Sequence, residues 1–122
     1  RSAVAATENA NAAAAEAEAF GVRRGVEQGA WDTVQAADSK RTQWQSFMQA
    51  LAAQTTASNR TRRAWELGEA PLAEYLLMLR NLRQTKLAEA QARVDALEAL
   101  AQVHIDAHVL WHFREAHAEV AP

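Results

Sequence analysis

Between Gly29 and the terminal Pro122, the sequence holds one stretch where a helix must stop: Trp65-Glu66-Leu67-Gly68-Glu69-Ala70-Pro71-Leu72-Ala73-Glu74. Gly68 can adopt the left-handed conformation that closes a helix, and Pro71 has the fixed φ and missing N–H that suit the first position of the next one. Arg60, Arg62 and Arg63 crowd the end of the helix before this stretch, while Glu69 and Glu74 lie close to the start of the helix after it. That is the charge order two helix dipoles prefer on either side of a short turn. The chain therefore reads as two arms.

Only 4 glycines and 2 prolines occur in 122 residues, alanine is abundant and β-branched residues are sparse. This excludes a loop-rich or β-rich fold and predicts long helices. Two long arms bury a narrow seam rather than a globular centre, so limited stability in isolation is expected, with self-association adding to it. The 13 basic and 15 acidic residues are mixed along both arms for a net charge of −2, which leaves no electrostatic footprint for nucleic acid. No apolar run is long enough for a membrane span, and the first residues lack a signal-peptide pattern. The absence of cysteine excludes disulfides and thiolate metal sites without deciding the compartment.

Residues 1 to about 20 are an alanine-rich helix former with small side chains. Gly21, Gly25 and Gly29 come next, one turn apart on one face. They mark either a groove for the close approach of another helix or a point where the arm breaks and folds back into a three-helix or dimeric bundle. From Trp31 the apolar positions fall into steps of three and four, through Val34, Ala37, Trp44, Met48 and Leu51, with Arg41 in one slot. Thr55, Ser58, Arg62 and Trp65 extend this seam toward the turn. Its polar positions predict a looser region there.

In the second arm Leu72, Leu76, Leu79, Leu82, Leu87, Ala90, Val94, Leu97, Ala101, His104, His108 and Trp111 have heptad-like spacing, which predicts an antiparallel partner for the first arm. Val103, Ile105, Val109, Leu110 and Phe113 add apolar surface on other faces, so this end calls for more than one neighbour. The tail, residues 117–122, is expected to fray.

Catalytic chemistry finds no footing. Ser2, Ser39, Ser46 and Ser58 are scattered along one arm, there is no thiol, and no glycine loop could cradle phosphate. The chain reads as a non-enzyme without cofactor. His104, His108 and His112 rise along one face at i, i+4, i+8, a spacing at which imidazoles can share zinc or copper. The same spacing serves equally as packing, since His104 and His108 fall on the expected seam. Glu66 and Glu69 suit helix ends and solubility. Glu74, among Leu72, Tyr75 and Leu76, would become a ring of charge if several copies were arranged in a ring.

Arg63-Ala64-Trp65-Glu66-Leu67-Gly68-Glu69, then Leu72, Glu74, Leu76, Leu79, Arg80 and Leu82, and an alanine-rich second arm ending in Ile105-Asp106-Ala107-His108 and Leu110-Trp111, resemble the TolC-type outer-membrane efflux factors. Within them the resemblance is to the heavy-metal (cobalt–zinc–cadmium) branch. It is specific at the turn and compositional over residues 1–60.

The resemblance implies a homotrimer whose paired hairpins form a periplasmic tunnel below an outer-membrane barrel in a Gram-negative bacterium. The tip would dock on a periplasmic adaptor (membrane fusion) protein and, through it, serve an inner-membrane pump. It assigns Trp65, Leu67, Gly68, Glu69, Pro71 and Leu72 to the docking tip and Glu74 to the pore entrance. The chain would then be one hairpin, similar to the C-terminal of the family's two. Ala70 stands where the family has a basic or hydroxylated residue, and Arg80 or Arg83 could substitute.

The expected architecture is all-α, a long antiparallel coiled-coil hairpin with one arm at about 2–67, a tip at 68–70, a second arm at about 71–116 and the tail beyond. The rival function is a free-standing helical bundle that binds a metal ion through the histidine stripe.

Overall fold

A computed structural model describes residues 2–118, with the side chains of Phe113 and His117 outside the description. Any statement on the apolar surface of Phe113, the position of the His117 ring or the fraying of residues 119–122 falls outside it.

Two helices, α1 (Ser2–Glu66) and α2 (Leu72–Ala118), are joined by a short turn, which makes the protein an all-α helical hairpin. Helix α1 runs unbroken through Gly21, Gly25 and Gly29. The expected break is absent, and within the chain a Cβ built on any of the three meets nothing within 4 Å, so no part of this hairpin fills the groove. Alanine on both sides supplies enough helix propensity to carry the chain through three interior glycines, each of which costs about 1 kcal/mol. Among the described residues no helix is long and apolar enough to cross a membrane.

The turn is built as the sequence predicts at its first half. Gly68 has φ +75°, its N–H donates to the Trp65 carbonyl at 2.9 Å, and the Glu69 N–H donates to the Ala64 carbonyl at 2.8 Å. These two bonds form a Schellman cap, and the Ala70 N–H is a second donor to the Ala64 carbonyl, at 3.2 Å. Pro71 stands just before the first helical residue, and its carbonyl accepts the N–H groups of Glu74 at 3.1 Å and Tyr75 at 3.4 Å. Arg63 lies in the last turn of α1 and Glu74 in the first turn of α2, each favourable to its helix dipole.

The chain packs as two compact units, Gln35–Gln102, which contains the turn, and Arg1–Val34 with Val103–Pro122. In the turn unit the shielded positions of α1 include Ala37, Lys40, Trp44, Phe47, Leu51, Gln54, Ser58 and Thr61, in steps of three and four, with Ala57 and Ala64 shielded beside them. Those of α2 include Tyr75, Met78, Leu82, Thr85, Glu89, Ala92, Ala96 and Ala99, in the same rhythm, with Asn81, Ala88, Ala90 and Asp95 shielded beside them. Ser58, at 4% exposure, and Ala92, at 5%, are its most buried residues. The Trp44 indole N–H donates to Glu89 at 2.8 Å and Lys40 pairs with Asp95 at 4.0 Å, which fixes the antiparallel register. Trp44 thus lies level with Glu89, and the buried alanines of α2, Ala92 and Ala96, admit α1 closely.

This seam is not the one the spacing of large apolar residues predicts. On α2 the structure uses the positions next to Leu76, Leu79 and Leu97, and it leaves Leu72, Leu76, Leu79, Leu87, Val94, Leu97 and Trp111 exposed. Of the expected α2 seam only Leu82 and Ala90 are shielded, and His104 and His108 lie outside it. On α1, Trp31, Val34, Arg41, Met48, Thr55 and Arg62 are exposed, whereas Ala37, Trp44, Leu51 and Ser58 keep their seam places. Arg41 turns outward to Asp38 at 2.9 Å, and Lys40 takes its slot. A move of one residue rotates a helix position by about 100°, so one step exchanges one apolar stripe for its neighbour.

In the other unit, Val26, Ala30 and Thr33 of α1 are shielded together with Val103, Asp106 and Leu110 of α2. The Thr33 hydroxyl donates to the Asp106 carboxylate across the two helices. Val26, Gly29, Ala30, Asp106, Val109 and Leu110 line a small open hollow there.

Candidate functional site: the turn and the histidine pair

At the turn, Trp65 stacks on Tyr75 with ring centroids 5.3 Å apart and planes at 13°. The pair spans the turn from the last residues of α1 to the first turn of α2, and with the Schellman cap it makes the tip a fixed shape. Leu67 is 65% exposed and Leu72 is exposed on the same turn, so both present apolar surface to solvent. Gly68, Glu69, Pro71 and Glu74 are exposed as well. Each of the tip residues chosen from sequence therefore sits within one short segment. Tyr75, the partner of Trp65, was missed; its signal was an aromatic residue at the first seam position after Pro71.

Beside Leu67, the side chains of Asn59, Arg60, Arg62, Arg63 and Glu66 line a shallow groove, with Arg62 and Glu66 paired at 3.8 Å. Positive charge thus borders the exposed leucine. Outward from the tip, α2 carries Leu72, Leu76, Leu79, Leu97 and Leu100 along one exposed flank, interrupted by Arg83, Lys86 and Arg93.

Of the three rings in the histidine stripe, two meet. His104 is exposed and meets neither other ring, whereas His108 and His112 bring their Nε2 atoms to 3.1 Å with the rings edge to face, centroids 4.4 Å apart and planes at 84°. Glu115 lies 3.7 Å from Nδ1 of His112 through one carboxylate oxygen, and its other oxygen accepts the Trp111 indole N–H at 2.8 Å. Among the described residues no three His, Asp or Glu side chains converge as a metal cage.

No protein-family model, curated protein or solved structure matches this chain. The fold and the tip define its class, a helical hairpin with a capped, aromatic-clamped turn.

Proposed function

We propose that the protein is a tunnel hairpin and adaptor-docking tip of an outer-membrane efflux channel, serving a tripartite system that exports metal cations. The observation that supports this most is the turn, whose cap and Trp65–Tyr75 stack hold Leu67 and Leu72 outward. A rigid turn lowers the ordering cost of docking, so exposed leucines there favour a partner more than leucines on a mobile loop would. The partner proposed is a periplasmic adaptor hairpin, touching Trp65, Leu67, Gly68, Glu69, Pro71 and Leu72. The leucine flank of α2 would be covered by neighbouring hairpins of a homotrimer, where Glu74 would recur as a ring at the entrance. The compartment is then the periplasm, below the outer membrane, and the inner-membrane pump is reached through the adaptor.

The test is binding of a panel of periplasmic adaptor hairpins from metal-efflux systems to the chain and to Leu67→Asp and Gly68→Ala. Binding by at least one hairpin, weakened tenfold or more by either substitution, is the expected result. Unchanged affinity in both variants would remove the tip from the interface.

A further inference from the structure

We propose that His108 and His112 form a two-imidazole chelate for a borderline divalent transition ion, copper(II) above nickel(II) and zinc(II), with Glu115 as a positioning residue. This site does not rest on the docking reading.

Two histidines one helical turn apart share a face, and imidazole suits this class of ion. Two imidazole nitrogens bound to one ion at about 2.0–2.1 Å lie about 2.9 Å apart at a right angle and about 3.3 Å apart at a tetrahedral angle. The observed Nε2–Nε2 distance of 3.1 Å falls between these values. Ring rotation alone would aim both lone pairs at one point, because both side chains are exposed and α2 is continuous beneath them. An ion bound there would take the Nε2 lone pair of each ring, with each neutral imidazole carrying its one proton on Nδ1.

Glu115 supplies the outer support that ligating imidazoles ordinarily have. Its Oε2 lies 3.7 Å from Nδ1 of His112, on the side of the ring away from His108, where a small movement would bring it into hydrogen-bond range once Nε2 holds a metal. The indole N–H of Trp111 holds the other carboxylate oxygen at 2.8 Å, so the carboxylate is itself oriented. His104 contributes no ligand. The remaining coordination positions are open to water, which suits a tetragonal ion better than a closed structural zinc site.

The test titrates the 122-residue chain with copper(II) sulfate, reading affinity by calorimetry and ligand number by the nitrogen hyperfine structure of the electron paramagnetic resonance spectrum. The expected result is one site per chain with two imidazole nitrogens. His108→Gln and His112→Gln should each weaken it at least tenfold, while His104→Gln leaves it unchanged. Glu115→Gln should weaken it about tenfold, within the range for outer-shell partners, while the count of two nitrogens is retained. Far-ultraviolet circular dichroism would show the variants equally helical, since the substituted side chains are exposed. Wild-type affinity in the His108→Gln/His112→Gln double variant, or a loss in His104→Gln as large as in His108→Gln, would overturn the proposal.

Discussion

The same substitution, glycine to alanine, should change stability in opposite directions at Gly68 and Gly25. At Gly68 the φ of +75° forces a left-handed conformation, which costs an alanine about 1–2 kcal/mol through its Cβ and the following carbonyl. Alanine also reduces the freedom of the unfolded chain, which returns about 0.4–1 kcal/mol. No packing clash enters at either site, since a Cβ there meets nothing within 4 Å. Gly68→Ala should therefore destabilise the hairpin by about 1 kcal/mol. At Gly25, inside α1, helix propensity alone acts, and alanine should stabilise by about 1 kcal/mol. For a chain of this size each change corresponds to about 4 °C in Tm.

The assay is urea and thermal unfolding by circular dichroism at two protein concentrations, so that association is separated from folding. Gly68→Asn provides a control, because asparagine tolerates the left-handed region and should recover part of the loss. Equal stability of Gly68→Ala and wild type would refute the capped turn. A destabilised Gly25→Ala would refute the open surroundings of that glycine and restore the groove reading.

Trp44→Phe removes the half-buried indole bond to Glu89 and should cost about 1 kcal/mol, whereas Lys40→Gln, at the partly exposed pair with Asp95, should cost less than about 0.5 kcal/mol; denaturant titration of both ranks them. A double-mutant cycle of Trp65→Leu and Tyr75→Leu should give a coupling of about 0.5–1.5 kcal/mol, and zero coupling would dissolve the aromatic clamp. Ala96→Leu should overpack the seam by about 1–3 kcal/mol, while Leu97→Gln, at a residue 58% exposed, should shift monomer stability by less than about 0.5 kcal/mol. The reverse order, read in unfolding midpoints, would put the seam on the leucine stripe after all.

The two histidines illustrate how far spacing reaches. Spacing placed His104, His108 and His112 on one face but could not say that only the second and third rings meet, because that depends on rotamers and on the Trp111–Glu115 bond beside them. The tip was legible as far as the backbone governs it, since Gly68 and Pro71 act within a few residues of themselves. Tyr75 was not, because its importance comes from a ring ten positions earlier in the chain. Thr55 and Arg62, expected as soft places in the seam, are outside it, while Ser58 is its most buried polar residue.

The sequence by itself determined that the chain is all-helical with one turn near Gly68 and Pro71, and that the arms on either side pair antiparallel. Those properties come from local propensity, from one glycine and one proline, and from the shortness of the turn, none of which needs a distant contact. The continuity of α1 through its three glycines was decided by the structure. The tertiary structure alone decided which lengthwise stripe of α2 faces α1. Adjacent stripes along α2 have the same heptad rhythm and differ by one residue, so periodicity cannot choose between them. The choice falls to the Schellman cap and the Trp65–Tyr75 stack, which set the rotation of α2 as it leaves the turn. It is reinforced by the cross-arm partners of Lys40 and Trp44, and it leaves the larger leucines facing outward.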